Sequence, residues 1–192
     1  NVISIGYAAF AGCSGLTSVT IPEGVASIDE DAFTGCSSLT SVVIPESVTS
    51  IGAYVFNNCS SLNNVTIPKG VTRISRATFR NCSSLTSVTI PESVTSIGED
   101  VFYGCSSLAS MTIPDCVASL GRQAFYGCSS LSSVTIPESV TSIGASAFSD
   151  CSKLKHVYYG GSELQWEEIE TKDGNSALIS ATIHYNSTHI HN

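Results

Sequence analysis

A repeat of 23 residues is the feature that most constrains how this chain can fold. Three residue types keep this step over six full periods of the 192-residue sequence. The rows are Cys13, Cys36, Cys59, Cys82, Cys105, Cys128 and Cys151; Phe10, Phe33, Phe56, Phe79, Phe102, Phe125 and Phe148; and Pro22, Pro45, Pro68, Pro91, Pro114 and Pro137. Such a period indicates a solenoid, in which each repeat forms a coil that contacts only its neighbours.

Each coil is predicted to begin with a strand, as the stretch "CSSLTSVTIPESVTSIG" illustrates. Leu85, Val88 and Ile90 have the spacing of the strand in a leucine-rich repeat. Side chains alternate between the two faces of a strand, so we expect these three to face the interior. Ser87 and Thr89 lie between them in the sequence and are therefore expected to face outward.

The remainder of the repeat is predicted to return the chain to the next strand. Pro91 ends the strand because it has no N–H to donate to the ladder. Val94 and Ile97 supply a second inward-facing pair, and Phe102 fills the centre after about one helical or 3₁₀ turn. One coil cannot bury its apolar face alone, so we expect a stack of parallel coils about 4.8 Å apart.

The run Cys-x-x-Leu-x-x-Val-x-Ile-Pro-x-x-Val-x-x-Ile-Gly-x-x-Ala-Phe resembles the BspA-like leucine-rich repeats of bacterial surface proteins. It is also similar to related repeats of some mucosal protozoan parasites, and the resemblance covers roughly residues 1–159. The fold it implies is a mostly-β, α/β-type solenoid: a right-handed leucine-rich repeat with one parallel sheet on the concave face. Short strands, turns or 3₁₀ turns would form the other side. The resemblance also implies secretion or surface display, and binding or adhesion rather than catalysis.

Three regions are expected along the chain: about seven coils over residues 1–159, the first incomplete, a C-terminal cap over 160–186, and a tail over 187–192. Ser162 and Gln165 form a capping box at the start of the cap helix "ELQWEEI", which would lay Trp166 and Ile169 on the last coil. The spacing Leu178-x-x-Ala181-x-Ile183 predicts an eighth strand, so the ending resembles the helix-plus-strand cap of such arrays.

The N-terminal end lacks a comparable cap in the sequence. Val2 and Ile5 align with Val25 and Ile28, so the chain starts inside a coil, after its proline position. This alignment leads us to expect an exposed core end near Leu16 and Phe10, which terminal coils normally avoid. We therefore expect further coils or a cap upstream, or self-association through this end. The start has no charged and apolar pattern typical of a signal peptide.

Composition argues against two classes of partner. The formal charge is −8, and only eight residues are Lys or Arg, too few for the clustered positive charge that binds nucleic acid. No apolar run reaches the roughly 18 residues of a membrane span, so membrane insertion is not expected. The expected partner is a protein or glycan ligand of unknown identity.

The repeated cysteines invite a chemical interpretation that their spacing does not favour. Equivalent side chains in stacked coils point the same way, whereas a disulfide needs Cβ atoms that converge to about 3.8 Å. A zinc site needs four ligands around one point, and a catalytic thiol needs a histidine partner. We favour small buried apolar residues, with disulfides and metal as weaker alternatives. Cys116 lies outside the row and is expected to be more exposed. We therefore predict no catalytic residue, metal or cofactor, and no enzymatic activity.

Two places depart from the repeat and are the candidate ligand sites. One repeat carries Asn63 and Asn64 on its strand and holds half of all positive charges: Lys69, Arg73, Arg76 and Arg80. Pairing between coils is the alternative explanation for these charges, since Arg76 aligns with Glu99 one coil further on. The second place lies beside the cap, where His156 and Tyr158 could serve as binding anchors on the sheet face.

The function that best fits these features is a non-enzymatic interaction or adhesion module that binds through the concave sheet face. We expect it to be extracellular or on a cell surface. The alternative is a structural spacer that displays another domain and has no ligand of its own. An acidic row after the prolines is interpreted as solvated turn residues rather than as a site.

Overall fold

The computed structural model describes residues 2–187, in which sixteen short strands and two short helices follow one another. The strands are β1 (Ser4–Ile5), β2 (Ser18–Thr20), β3 (Ser27–Ile28), β4 (Ser41–Val43), β5 (Ser50–Ile51), β6 (Asn64–Thr66), β7 (Arg73–Ile74), β8 (Ser87–Thr89), β9 (Ser96–Ile97), β10 (Ser110–Thr112), β11 (Ser119–Leu120), β12 (Ser133–Ile136), β13 (Ser142–Ile143), β14 (His156–Tyr159), β15 (Glu170–Thr171) and β16 (Thr182–His184). The helices are α1 (Glu163–Glu167) and α2 (Ser176–Ile179).

The even-numbered strands line one side of the stack, which we call the long-strand side. They pair in parallel in the order β2-β4-β6-β8 and β10-β12-β14-β16. Equivalent residues of successive coils are in register, for example Ser110 with Ser133 and Ser133 with His156. Two four-stranded sheets thus occupy the side that the sequence predicts as one concave sheet, and the parallel, mostly-β solenoid is confirmed.

The odd-numbered strands form a second side, the short-strand side, with the orders β1-β3-β5 and β7-β9-β11-β13-β15. Each strand is two residues long, and from β3 to β13 its second residue is buried in the core. In the repeat analysed above, Val94 and Ile97 are both buried, as their spacing predicts. The proline therefore marks the corner between the two sheets.

A third side, the turn side, carries the phenylalanine and is more regular than the sequence suggests. It consists of consecutive turns, yet its N–H groups donate to carbonyl groups of the next coil: Asp100 to Arg122 at 2.9 Å, and Phe102 to Ala124 at 2.7 Å. Asp100 has a left-handed backbone conformation with φ of 56°. The equivalent residues of the other coils also have positive φ: Ala8, Asp31, Tyr54, Ala77, Gln123 and Ser146. The turn side is thus a third hydrogen-bonded ladder.

The core is a stack of phenylalanine rings that runs the length of the solenoid. Neighbouring rings from Phe10 to Phe148 lie parallel, with centroids 5.1 to 5.7 Å apart. Six of the repeated cysteines are buried beside them: Cys36, Cys59, Cys82, Cys105, Cys128 and Cys151. Burial of these thiols confirms the interpretation drawn from the spacing, whereas Cys13 in the first coil is exposed.

The cap at the C-terminal end contains the predicted helix, but its strand lies at a different position from the one predicted. Ser162 and Gln165 form the expected capping box. Ile183, however, pairs with Val157 and so takes the place that the spacing gives to Ala181. Helix α2 ends at Ile179, and the chain then uses more residues to reach the sheet than it does in a repeat. The eighth strand of the long-strand side is therefore present, two residues later than its pattern predicts.

The other end of the stack exposes part of its apolar interior. Val2 is exposed whereas its equivalent Val25 is buried, and 42% of Phe10 is accessible to solvent, against 0% for Phe33. The expectation of an exposed core end is confirmed for Val2 and Phe10, whereas Leu16 is half-buried. Upstream coils and self-association through this end remain predictions.

Candidate binding surface

The long-strand side presents a row of small hydroxyl side chains to solvent. On β10 and β12, Ser110 and Thr112 pair with Ser133 and Thr135, and the residues between them, Met111 and Val134, are buried. The alternation arises because the apolar residue of each Ser-Val-Thr triplet must enter the core. Hydroxyl groups give adaptable hydrogen bonding, but they supply little buried area on their own.

The row ends in a cluster of three rings, which we call the His–Tyr–His cluster: His156, Tyr158 and His184. His156 and Tyr158 leave β14 on the same face, and β16 brings His184 beside them. The Nδ1 atom of His156 lies 3.2 Å from Nε2 of His184. Tyr158 stacks on His184, with ring centroids 4.7 Å apart and planes 16° from parallel. Sequence reasoning did not place His184 beside His156 and Tyr158, because the predicted spacing put the last strand two residues too early.

The candidate residues of the odd repeat are spread over three sides of the stack, and among its cations only Arg76 and Arg80 lie together. Asn63 and Asn64 are exposed on the long-strand side, where Asn64 pairs with Ser87. Arg73 is exposed on β7 of the short-strand side. Lys69 lies in the turn after Pro68, and its backbone N–H donates to Oε2 of Glu46.

Arg76 and Arg80 belong to the turn side, where both contact Asp100 of the next coil. The carboxylate oxygen Oδ2 of Asp100 lies 3.6 Å from Arg76 and 3.5 Å from Arg80. Arg76 also approaches Glu99 at 4.0 Å, the contact that their alignment predicts. The Asp100 side chain is only 8% exposed, so the two guanidinium groups neutralise a carboxylate that is nearly out of solvent.

Two tyrosines, Tyr103 and Tyr126, extend this row of contacts from Arg80 into the next coils. They were not singled out from the sequence. The Arg80 guanidinium lies 4.1 Å from the ring centroid of Tyr103, and Tyr103 stacks on Tyr126 at 4.8 Å. A hydrogen bond to Asp150 raises the pKa of Tyr126, because the protonated phenol is the donor. The signal was available, since Arg80, Tyr103 and Tyr126 follow the 23-residue step.

Acidic residues after the prolines bind the backbone of the next coil. Oε2 of Glu46 accepts from the N–H of Lys69 at 3.1 Å, and Oε2 of Glu92 accepts from the N–H of Asp115 at 3.0 Å. These contacts support the interpretation of the row as turn residues, and they add a structural role that the sequence does not reveal.

The buried cysteines are poorly suited to nucleophilic chemistry. The Sγ–H of Cys105 donates to the carbonyl oxygen of Phe79 at 3.2 Å, and five other buried cysteines make the same contact. Burial raises the pKa of Cys59 and Cys151 to about 12, and it holds the pKa of Cys82, Cys105 and Cys128 well above the usual thiol value. Since the thiolate is the nucleophile and the metal ligand, these groups stay inert at neutral pH.

Across residues 2–187, no group of three or more His, Cys, Asp or Glu side chains could together hold a metal ion. None of the helices in this range is both long enough and apolar enough to span a membrane.

The fold and its hydroxyl-lined sheet define a leucine-rich repeat solenoid, a class that generally acts in binding rather than in catalysis. The family model of the BspA type leucine-rich repeat region matches in six copies, over residues 1–108 and 72–192. The chain therefore belongs to the BspA type leucine-rich repeat family, as its repeats indicate.

Solved structures agree with this assignment. A leucine-rich repeat protein of T. pallidum is 35% identical with a TM-score of 0.69, and the match covers 73% of this chain and 68% of that one. A leucine-rich cell surface protein of Faecalibacterium prausnitzii A2-165 is 27% identical with a TM-score of 0.54, over 88% of this chain and 72% of that one. No curated protein matches the chain.

Proposed function

We propose that this chain is a surface-exposed adhesion module that binds a protein or glycan through its long-strand side, centred on the His–Tyr–His cluster. The observation that carries the proposal is the cluster itself: the hydroxyl row changes to rings at one end of the sheet, on strands that lie beside the cap. Binding energy usually concentrates in a few aromatic or Arg side chains surrounded by weaker contacts. The hydroxyl row would supply those weaker contacts.

The surface location is supported by the F. prausnitzii neighbour, which is described as a cell surface protein. The resemblance of the repeats to those of bacterial surface proteins points the same way.

The repeat offers matched variants for a test, because each unusual residue can be changed to the residue of a neighbouring coil. His156→Ser with Tyr158→Thr copies Ser133 and Thr135 onto β14. Asn64→Ser copies Ser41 and Ser87 onto β6. This strand lies four coils, or about 19 Å, from the His–Tyr–His cluster on β14. Arg73→Ser, on the short-strand side, is the control because it changes charge without touching the proposed face.

The probes are a printed glycan array and a panel of immobilised extracellular proteins, with binding measured by interferometry. We expect the His156→Ser, Tyr158→Thr variant to lose at least about tenfold in affinity, the size expected for a central anchor. Arg73→Ser should bind as the unchanged chain does. Equal binding by all variants would refute the cluster as the centre, and loss in Asn64→Ser alone would move the centre to the odd repeat.

A structural spacer is the second candidate, and the regularity of the coils favours it. Over β8, β10 and β12 the outward residues are only Ser and Thr, which provide no anchor for a tight partner. If the domain is a spacer, none of the probes will bind the unchanged chain above the level of a control solenoid.

A further inference from the structure

We propose that His156 and His184 form a two-histidine site for a borderline divalent transition metal, Zn²⁺, Ni²⁺ or Cu²⁺. The observation is the 3.2 Å separation of His156 Nδ1 and His184 Nε2. Two ligands at 2.0–2.1 Å from a tetrahedral ion lie about 3.3 Å apart, so the pair already has the spacing of a chelate. Imidazole nitrogen is the ligand type that suits these three metals.

The pair is held by rigid elements rather than by loops. His156 lies on β14 and His184 on β16, and the two strands pair in parallel over three residues. Val157, between the two aromatic positions of β14, is fully buried and fixes the direction of its neighbours. The stacked Tyr158 ring limits rotation of the His184 ring. A site whose ligands are already oriented loses little conformational entropy when the metal enters.

The present contact between the rings is a hydrogen bond, in which one nitrogen donates to the other. A metal needs a lone pair from both, so the donor ring must carry its proton on its other nitrogen. Two neutral rings therefore bind the ion by a change of tautomer, without net release of a proton. Water, or a donor atom of a bound partner, fills the remaining coordination positions, because His156 is exposed and leaves the ion open to solvent.

The site does not depend on the proposed adhesion function, since it is defined by the metal alone. It also differs from the motif that the sequence offers, His189-x-His191, whose residues lie outside the described range. The experiment must separate these two possibilities.

The test is calorimetric titration of the full chain, prepared without a polyhistidine tag, with Zn²⁺, Ni²⁺ and Cu²⁺ salts at neutral pH. The variants are His156→Gln, His184→Gln and, as the control, His189→Gln with His191→Gln. We expect saturable binding of one ion, weakened at least about tenfold by each of the first two changes and retained by the control, because loss of even a second-sphere partner costs about that much. These substitutions should leave the circular dichroism spectrum unaltered.

Proton NMR of the imidazole rings gives a second readout, and we expect the signals of His156 and His184 to shift or broaden together on addition of the metal. Three outcomes would overturn the proposal. They are the absence of saturable binding in the unchanged chain, binding that survives both single changes, and binding that only the tail control removes.

Discussion

At the scale of single residues, the repeated cysteine completes the hydrogen bonding of the phenylalanine backbone. The carbonyl oxygen of Phe102 accepts the N–H of Cys105 at 3.1 Å and the Sγ–H of Cys128 at 3.2 Å. A thiol can fill an apolar space and still donate weakly, whereas alanine in its place would leave the second lone pair of a buried carbonyl without a donor. The row is therefore a packing feature with a polar contact in it.

Native thiol reactivity should follow this burial. We expect a thiol reagent to label Cys13 and Cys116 quickly, since both are exposed, and the other six cysteines only after unfolding. A Cys116→Ser variant serves as the control and should lose one fast equivalent. Fast labelling of more than two thiols in the folded chain would contradict the buried row.

Stability should fall at alkaline pH for the same reason. The folded thiols have pKa values raised above the ordinary 9.0, so the unfolded chain loses its thiol protons first as the pH rises. Their contribution is complete below about pH 9 and declines above it, by about 1.4 kcal/mol per pH unit for each thiol. Urea unfolding between pH 7 and 11 measures the slope of unfolding free energy against pH. Cys105→Ala removes one thiol and should reduce this slope by about 1.4 kcal/mol per pH unit. An unchanged slope would contradict the shift.

At the scale of the element, the cap imitates the next coil through one buried side chain. In a repeat, the phenylalanine N–H donates to the following coil, as Phe125 does to Ala147. After the last coil, Phe148 donates instead to Oδ1 of Asn175 at 3.0 Å. The amide nitrogen of Asn175 donates in turn to the carbonyl groups of Gly144 at 3.0 Å and Lys172 at 2.7 Å.

Asn175 should therefore hold the cap in place. Asn175→Ala removes three hydrogen bonds and leaves the buried N–H of Phe148 without a partner, for an expected loss of about 2–4 kcal/mol in unfolding free energy. Hydrogen exchange at Phe148 should become faster than at Phe125. As a matched control, Ser176→Ala changes the exposed neighbour and should cost less than about 0.5 kcal/mol. Equal effects of the two changes would exclude the role assigned to Asn175.

The sequence predicts the parts of these elements that depend on local or periodic patterns. Ser162 and Gln165 are three residues apart, so their capping box is visible before the fold is known. Asn175 acts on Phe148, 27 residues away, and no repeat places an equivalent residue there. His184 was missed for a similar reason, since its position depends on where α2 ends.

The same distinction explains the odd repeat. Arg76 and Glu99 share a place in successive coils, so their contact follows from alignment. Asp100 is one residue beyond the position that aligns with Arg76, so alignment does not predict its contacts. Only the structure of the turn side reveals that Asp100 meets both Arg76 and Arg80. Charge composition alone could suggest a ligand site there, but it could not show that two of the four cations already have a partner.

At the scale of the whole molecule, stability should depend on where in the stack a change is made. Phe102 is fully buried between two rings, whereas Phe10 at the first coil is 42% exposed. Phe102→Ala should cost about 3–5 kcal/mol in unfolding free energy, and Phe10→Ala should cost much less, because little of its ring is removed from water. Urea unfolding monitored by circular dichroism compares the two, and similar costs would show that the ends and the middle are equivalent.

Backbone ladders run along three sides of the stack, with strand pairing interrupted between β5 and β7 and between β8 and β10, and this has a mechanical consequence. Within each junction between coils, the backbone bonds carry a load side by side, whereas the junctions themselves share one tension in series. A pull along the axis is therefore borne evenly until the weakest junction opens, after which the chain lengthens coil by coil. Under flow, such a domain would act as a stiff tether that yields in steps.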